Sequence, residues 1–243
     1  VTDMNNMFSN CESLKSLDVT GLNTENVTNM RSMFSTCRTL TSLDLSNFNT
    51  AKVTNMGDMF YNCIALTYLD IHSFNTENVT YMSDMFRDCN ALTKLNLSSF
   101  NTEKITDMSE MFYGCNSLTE LDVTSFNTAR VTNMNLMFAG CNSLTSLDVT
   151  GFNTARVISM NGMFSGCYAL TELDLSNFNT KKVTNIARMF YVCKSLKTIY
   201  CDDTWSCDFS TDMFSGCTAL KGAVAYDESK VDVSMANPKT GYF

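Results

Sequence analysis

The dipeptide Met-Phe recurs every 26 residues along most of this chain, and this period constrains the fold more than any other feature. Eight copies keep the spacing, and a ninth arrives two residues early. The copies begin at Met7, Met33, Met59, Met85, Met111, Met137, Met163, Met189 and Met213. A fixed period of this length predicts a solenoid, in which each repeat packs only on its neighbours. We call each repeat a rung and number its positions from 1 to 26, with Val1 at position 1 of rung 1.

The aligned rungs follow the pattern VTNMxxMFxxCxxLTxLDVSxFNTxx, which combines two periodicities. Positions 4, 7, 8 and 11 have the spacing of one helical face and predict a short helix or helical turn on the convex side. Positions 17 to 19 alternate and predict a strand of about three residues in a parallel concave sheet. Thr and Asn before the helical face fit helix capping. Asn at position 23 fits a tight turn, and we expect its amides to stack as a ladder.

Composition and charge restrict the classes of protein that fit. Hydrophobic residues make up 44% of the chain and charged residues make up 17%. This hydrophobic content argues against disorder. A net charge of −8 argues against nucleic-acid binding, which depends on clustered Lys and Arg. No segment approaches the roughly 20 apolar residues of a membrane span, so we expect no membrane insertion. Val1 opens directly on a repeat without a polar cap, so we expect further chain before it in the natural protein.

Three segments carry a resemblance to a known family: Leu40–Thr50 (LTSLDLSNFNT), Leu118–Thr128 (LTELDVTSFNT) and Leu170–Thr180 (LTELDLSNFNT). They resemble the leucine-rich repeat. With MFxxCxxL included, the unit resembles the BspA-like leucine-rich-repeat surface proteins of bacteria and some protists, over Val1 to Leu220. The resemblance implies an α/β solenoid that is secreted or displayed on the cell surface and functions in adhesion to extracellular-matrix proteins.

The last residues depart from the repeat. The segment from Gly216 to Phe243 resembles the ending of the family's arrays. We therefore expect an array over residues 1–220 and a C-terminal cap over residues 221–243. In rung 8 the Phe-Asn-Thr turn is lost, and Trp205 is a candidate to fill the missing Phe volume.

The eleven cysteines divide into a regular column and two outliers. The column occupies position 11 in eight rungs, with Cys217 in the ninth: Cys11, Cys37, Cys63, Cys89, Cys115, Cys141, Cys167 and Cys193. Helices packed roughly 8–10 Å apart hold such sulfurs too far apart for bridging, so we expect buried free thiols. Cys201 and Cys207 lie where the repeat breaks down, and either a local disulfide or two free thiols fits that spacing.

Positions 16, 18 and 20 form the face of the predicted sheet that points to solvent. Their irregular members cluster on rungs 3 to 5: Tyr68, Asp70, His72, Lys94, Glu120 and Asp122. Aromatic and charged groups side by side on a rigid concave surface are plausible anchors for a protein or glycan ligand. A solvated sheet face without a ligand is the alternative.

Position 18 holds a column of Asp and Asn residues whose carboxylates should repel one another. The column comprises Asp18, Asp44, Asp70, Asn96, Asp122, Asp148 and Asp174. One interpretation is a row of weak Ca²⁺ sites. The interpretation we favour is hydrogen bonding to Ser and Thr at position 20 and to water, because no calcium-binding loop motif is present. The methionines at positions 4 and 7 are expected in the core rather than at a soft-metal site.

Catalysis has little support in this sequence. His72 is the only histidine, and the cysteines lie one per rung, so no catalytic triad or zinc site is indicated. We expect a monomeric, non-catalytic binding scaffold without a cofactor. The alternative is a spacer that presents another domain and has no ligand of its own.

Overall fold

The computed structural model describes residues 1–243 and contains four short strands and one short helix. The strands are β1 (Ser42–Asp44), β2 (Tyr68–Asp70), β3 (Glu172–Asp174) and β4 (Thr198–Tyr200). The helix is a 3₁₀ turn over Val233–Met235. β1 pairs with β2, and β3 with β4, both in parallel. Leu43 lies opposite Leu69, and Leu173 opposite Ile199. These partners are one repeat apart, so consecutive rungs stack as the period predicts.

The interior of the stack is one continuous hydrophobic core of 72 buried residues. Along it, the Phe of each Met-Phe pair stacks on its neighbour from Phe8 to Phe214, with ring centroids 5.5–5.8 Å apart. The Met residues at positions 4 and 7 belong to this core, as the fully buried Met108 and Met111 show, except Met7 in the first rung, which is 48% exposed. The methionines are therefore core residues, as the spacing indicates.

The predicted helices on the convex face are wrong, because the chain from position 3 to position 11 forms no α-helix. In rung 5, Phe112 N donates to Met137 O of the next rung at 2.9 Å, while Met111 N donates to Met108 O within its own turn at 3.5 Å. Alternate amides throughout this segment make the same two kinds of bond. An α-helix would use all of these amides internally and would leave adjacent rungs without backbone bonds. We call positions 3 to 11 the outer strip.

The outer strip turns tightly because two of its positions adopt left-handed backbone angles. Positions 6 and 10 have positive φ in every rung, for example 55° at Glu110 and 71° at Gly114. Such angles place the side chains at positions 4, 7, 8 and 11 inward, so Met108 and Cys115 are fully buried. The apolar spacing thus identified the core residues correctly although the backbone that carries them is not helical.

Threonine, rather than the expected asparagine, forms the polar ladder at the turn. Thr128 Oγ1 donates to Asn153 O of the next rung at 3.1 Å and accepts from Asn153 N at 2.7 Å. The side chain of Asn127 instead accepts from the amide of Ala129 in its own rung at 3.1 Å. Threonine at position 24 is buried, so its hydroxyl can reach only the neighbouring rung. The Asn side chain therefore shapes each turn, while the Thr hydroxyl links the turns.

The cysteine column consists of free thiols. Each Sγ donates to the carbonyl of Phe in the preceding rung, as Cys115 does to Phe86 O at 3.1 Å. Burial raises the pKa of Cys115 to about 12, so the thiol stays protonated at neutral pH. The prediction of buried free thiols is confirmed from Cys37 to Cys217, whereas Cys11, which has no preceding rung to bond, is free but partly exposed.

Aromatic residues close the C-terminal end of the stack. Trp205 stacks on Phe178 with a centroid distance of 6.4 Å, in the volume that Phe fills in earlier rungs. Tyr242 is fully buried and packs edge-on against Phe214 at 5.2 Å. A terminal cap over residues 221–243 would make contacts of this kind with the last rungs. The boundary at residue 220 stays a prediction. The structure contains no helix with the length and apolarity needed to cross a lipid bilayer.

Candidate functional site

The parallel segments of the concave face, which we call the inner strip, pair as strands only in rungs 2–3 and 7–8. Leu45 N donates to Asp70 O at 3.0 Å between rungs 2 and 3, and Leu175 N donates to Tyr200 O at 2.8 Å between rungs 7 and 8. The equivalent amides of Leu97, Val123 and Val149 have no backbone acceptor. One bond remains between rungs 4 and 5, from Thr119 N to Thr93 O at 3.2 Å, so the middle rungs lose the strand pairing but not every backbone contact.

This opening produces a depression of about 500 Å³ over rungs 4 to 6. On its floor, Leu95, Leu121 and Leu147 are 9%, 7% and 8% exposed. In the paired strands Leu43 and Leu173 are 1% exposed and Leu69 is 8% exposed, so strand pairing alone does not set the exposure of this position. Polar side chains line the rest of the depression, including three of the sequence-predicted residues, Lys94, Glu120 and Asp122. Apolar floor and polar rim together are typical of a surface that binds a ligand.

Lys94 and Glu120 form an ion pair across two rungs. Lys94 Nζ lies 2.7 Å from Glu120 Oε1, and the two side chains are 74% and 66% exposed. The hydrogen bond to Glu120 raises the pKa of Lys94. Exposed pairs contribute about 0–1 kcal/mol to stability, so a ligand can replace either partner at little cost.

The other three predicted residues form a separate group on rung 3. Asp70 Oδ1 lies 2.6 Å from His72 Nδ1, and Tyr68 donates its hydroxyl to Asp70 Oδ2 at 3.3 Å. The hydrogen bonds from His72 lower the pKa of Asp70. Tyr68 and His72 are exposed, and neither lines the depression. The structure thus divides the six predicted residues into two groups on adjacent rungs.

The Asp column makes the hydrogen bonds that we favoured from the sequence. Asp122 Oδ1 accepts from Thr124 N at 3.0 Å and from Thr124 Oγ1 at 2.6 Å. Asp18, Asp148 and Asp174 accept the same pair of bonds from position 20. These bonds lower the pKa of Asp122 and Asp148. One carboxylate oxygen of each such residue is thus engaged by its own turn, and no group of three or more His, Cys, Asp or Glu side chains is arranged to hold a metal ion.

Cys201 and Cys207 both carry free thiols in the structure, and the local disulfide considered from the sequence stays a prediction. Cys201 Sγ contacts Asp203 O at 3.7 Å, and Cys207 Sγ contacts Phe209 O at 3.6 Å. Each thiol thus bonds a carbonyl two residues along its own segment. Burial raises the pKa of Cys201.

Sequence reasoning missed a charged and aromatic cluster on the outer strip. The Arg87 guanidinium lies between the rings of Tyr61 and Tyr113, 5.4 Å and 5.0 Å from their centroids. It also pairs with Asp84 at 3.1 Å and with Glu110. The sequence does contain a signal, because position 9 holds Tyr, Arg and Tyr in rungs 3 to 5. It was missed because the predicted helix gave no reason to expect these three side chains on one surface.

The sequence matches the model of a family described as "Mycoplasma protein of unknown function, DUF285" over residues 1–69, 43–145 and 116–227. The chain belongs to this family. The three overlapping matches cover nearly the whole repeat array, so the DUF285 unit corresponds to the stacked rungs described above. No match was found among curated protein sequences.

Several solved bacterial structures are similar to this DUF285 chain. A leucine-rich repeat protein from Bacteroides ovatus is 20% identical, with a TM-score of 0.45 and 81% of this chain covered. A leucine-rich cell surface protein from Faecalibacterium prausnitzii is 18% identical, with a TM-score of 0.40, 98% of this chain and 79% of that chain covered. A leucine-rich repeat protein from Eubacterium ventriosum is 20% identical, with a TM-score of 0.38 and 54% of this chain covered. The chain spans 58% of the Bacteroides protein and 32% of the Eubacterium protein.

Proposed function

We propose that this chain is a non-catalytic binding scaffold, secreted or displayed on the cell surface, that binds a macromolecular ligand with its concave face. The observation that carries the proposal is the open inner strip with its depression over rungs 4 to 6. The rest of the rung has an internal structural role, because the Met, Phe, Leu, Cys and Thr positions are engaged in the core and the ladders. The irregular residues of the concave face remain for recognition.

The depression suits a protein ligand better than a glycan. Lys94 and Glu120 present both signs of charge beside apolar floor residues, and Tyr68 and His72 add exposed rings on the next rung. Complementary charge pairs fix the orientation of a protein partner, and aromatic residues are enriched among interface anchors. The resemblance to BspA-like surface proteins supports an extracellular-matrix protein as the partner and a monomeric array as the binding unit.

A binding assay with single variants tests this proposal. The array is immobilised, and purified extracellular-matrix proteins and, separately, glycans are passed over it. We expect Lys94→Ala or Glu120→Ala to weaken matrix-protein binding at least tenfold, and Tyr68→Ala or His72→Ala to weaken it less. Glu103→Ala and Lys104→Ala are matched controls, because both residues are exposed and lie outside the depression. Binding that is unchanged in all four concave-face variants would contradict the proposal, and binding to glycans alone would favour the other ligand class.

The spacer alternative has a separate test. In cells that display the array and adhere to a matrix-coated surface, the array is replaced by an unrelated rod of equal length. Adhesion restored by the rod supports the spacer, whereas adhesion restored only by the intact array supports a ligand-binding face.

A further inference from the structure

A groove of about 580 Å³ runs along the outer strip of rungs 4 to 8, on the side of the molecule opposite the concave face. Its floor is the backbone of Gly114, Gly140 and Gly166, which occupy position 10 of three successive rungs. A Cβ added at Gly140 would lie 3.3 Å from Gly114 Cα, and φ at Gly140 is +75°. A side chain at Gly140 would therefore crowd the backbone of the preceding rung, although the backbone angle itself admits other residues, as at Val192 with φ of 55°. Asp88 and Val192 occupy this position in rungs 4 and 8, so the glycine floor is confined to rungs 5 to 7.

Tyrosine rings form the walls of the groove. Tyr113 stands at one end, and Tyr168 and Tyr191 stand at the other. Each ring is held by a cation: Arg87 lies 5.0 Å from the Tyr113 centroid, Lys194 lies 5.3 Å from Tyr168, and Arg188 lies 5.8 Å from Tyr191. Arg87 is itself fixed by Asp84 and Glu110. The rings are therefore restrained before any ligand arrives, which lowers the entropy cost of binding.

Side-chain amides supply the polar groups beside the floor. Asn142 Nδ2 donates to Asn116 Oδ1 of the preceding rung at 3.2 Å, and Asn161 Nδ2 donates to Ala187 O at 3.0 Å. These bonds leave Oδ1 of Asn142 and of Asn161, and further N–H groups of both residues, free for a ligand. The charged groups of the groove, Asp88 and Arg188, lie at its ends rather than on its floor, and Arg188 already pairs with Asp212.

We infer that this groove binds a neutral, extended oligosaccharide of the β-1,4-linked type. Pyranose rings present apolar C–H faces that stack on restrained tyrosine rings, and their hydroxyls both donate to and accept from amides. Successive rungs at a spacing of roughly 4.8 Å match a linear polymer of similar repeat, with about three sugar units over the three glycines. The uncharged floor and the net charge of −8 disfavour acidic polysaccharides. This site is independent of the concave face.

Isothermal titration of the whole chain with chitotetraose and with cellotetraose tests the inference, with maltotetraose as a curved comparison. We expect one of the two linear probes to bind with a higher affinity than maltotetraose. Tyr191→Ala and Tyr168→Ala should each weaken binding at least tenfold, while Tyr191→Phe should keep it within about twofold because stacking survives. Tyr81→Ala is the matched control: Tyr81 is 38% exposed and Tyr191 37%, and Tyr81 lies outside the groove.

Three results would overturn the inference: no binding of either linear probe, preference for maltotetraose, or equal losses in Tyr191→Ala and Tyr81→Ala. Urea unfolding of each variant separates loss of binding from loss of folding. Lys94→Ala, in the concave depression, should leave sugar binding unchanged. The sugar-binding inference and the concave-face proposal can therefore fail independently of each other.

Discussion

The outer and inner strips of the same rungs differ in how their backbones are bonded. Outer-strip amides donate to the next rung from Met4 to Val192, including every middle rung, whereas the inner strip is bonded as a sheet only at rungs 2–3 and 7–8. Both strips pack on the same core. The difference indicates that the outer strip, with its Phe and Cys columns, holds the stack together, and that the inner strip is free to vary and to open.

The largest effect is expected from the aromatic column behind the outer strip. Phe112→Ala removes a fully buried ring that stacks on Phe86 and Phe138. We expect a loss of about 3–5 kcal/mol in the free energy of unfolding, measured by urea titration. Tyr68→Ala on the inner strip should change it by no more than about 0.5 kcal/mol. Similar losses in the two variants would remove the distinction between the strips.

A smaller loss is expected at the threonine ladder. Thr128→Val keeps the shape of the side chain but leaves Asn153 N and O without their buried partner. We expect a loss of about 1–3 kcal/mol. Thr124→Val serves as the control, because its hydroxyl bonds only the exposed Asp122. A control that is destabilised as strongly as Thr128→Val would show that the buried ladder has no special role.

Thiol reactivity tests which cysteines of the stack are buried, and it does so without altering the fold. Burial raises the pKa of Cys63 and Cys167 to about 12, whereas Cys11 and Cys207 are partly exposed. In native protein, iodoacetamide should modify Cys11 and Cys207 and leave the remaining column unmodified. In denaturant without reductant, mass spectrometry should find all eleven cysteines alkylated. Two fewer alkylated thiols would indicate that Cys201 and Cys207 form a disulfide in the protein.

The smallest effect on stability is expected when acid protonates the Asp side chains of the inner strip. Hydrogen bonds from position 20 hold the pKa of Asp122 and Asp148 below the ordinary value of 3.8. A lowered pKa stabilises the fold above the ordinary value, and that contribution is lost as pH falls through the lowered pKa. The urea midpoint should therefore decrease below about pH 4. Asp122→Asn should reduce this dependence, because Asn96 already makes the backbone bond to Ser98 N at 3.0 Å. An unchanged dependence in this variant would exclude Asp122 as a contributor.

The period alone was sufficient to predict the solenoid and nearly every buried residue, but the parallel strands that it predicted in every rung are present only in rungs 2, 3, 7 and 8. It could not predict the backbone of the outer strip, because the spacing of Met108, Met111, Phe112 and Cys115 fits a helix and a series of left-handed turns equally well. The deciding factor is hydrogen bonding between rungs, which a single repeat does not reveal. For the same reason the threonine ladder was assigned to Asn at the neighbouring position.

The candidate site was predicted only in part. Irregularity at the exposed strand positions identified Lys94, Glu120 and Asp122, but the depression itself depends on which strands pair, and every rung has a similar strand sequence. The outer groove depends on Gly114, Gly140 and Gly166 lying side by side, which only the stacked structure makes evident.

Native-state hydrogen exchange measured residue by residue tests the central claim most directly. We predict that the amides of Leu97, Val123 and Val149 exchange rapidly, while Leu45 and Leu175 on the same strip, and Phe112 and Phe138 on the outer strip, remain protected. Equal protection of all these amides would mean that the inner sheet is continuous, and would contradict both the open strip and the binding face proposed on it.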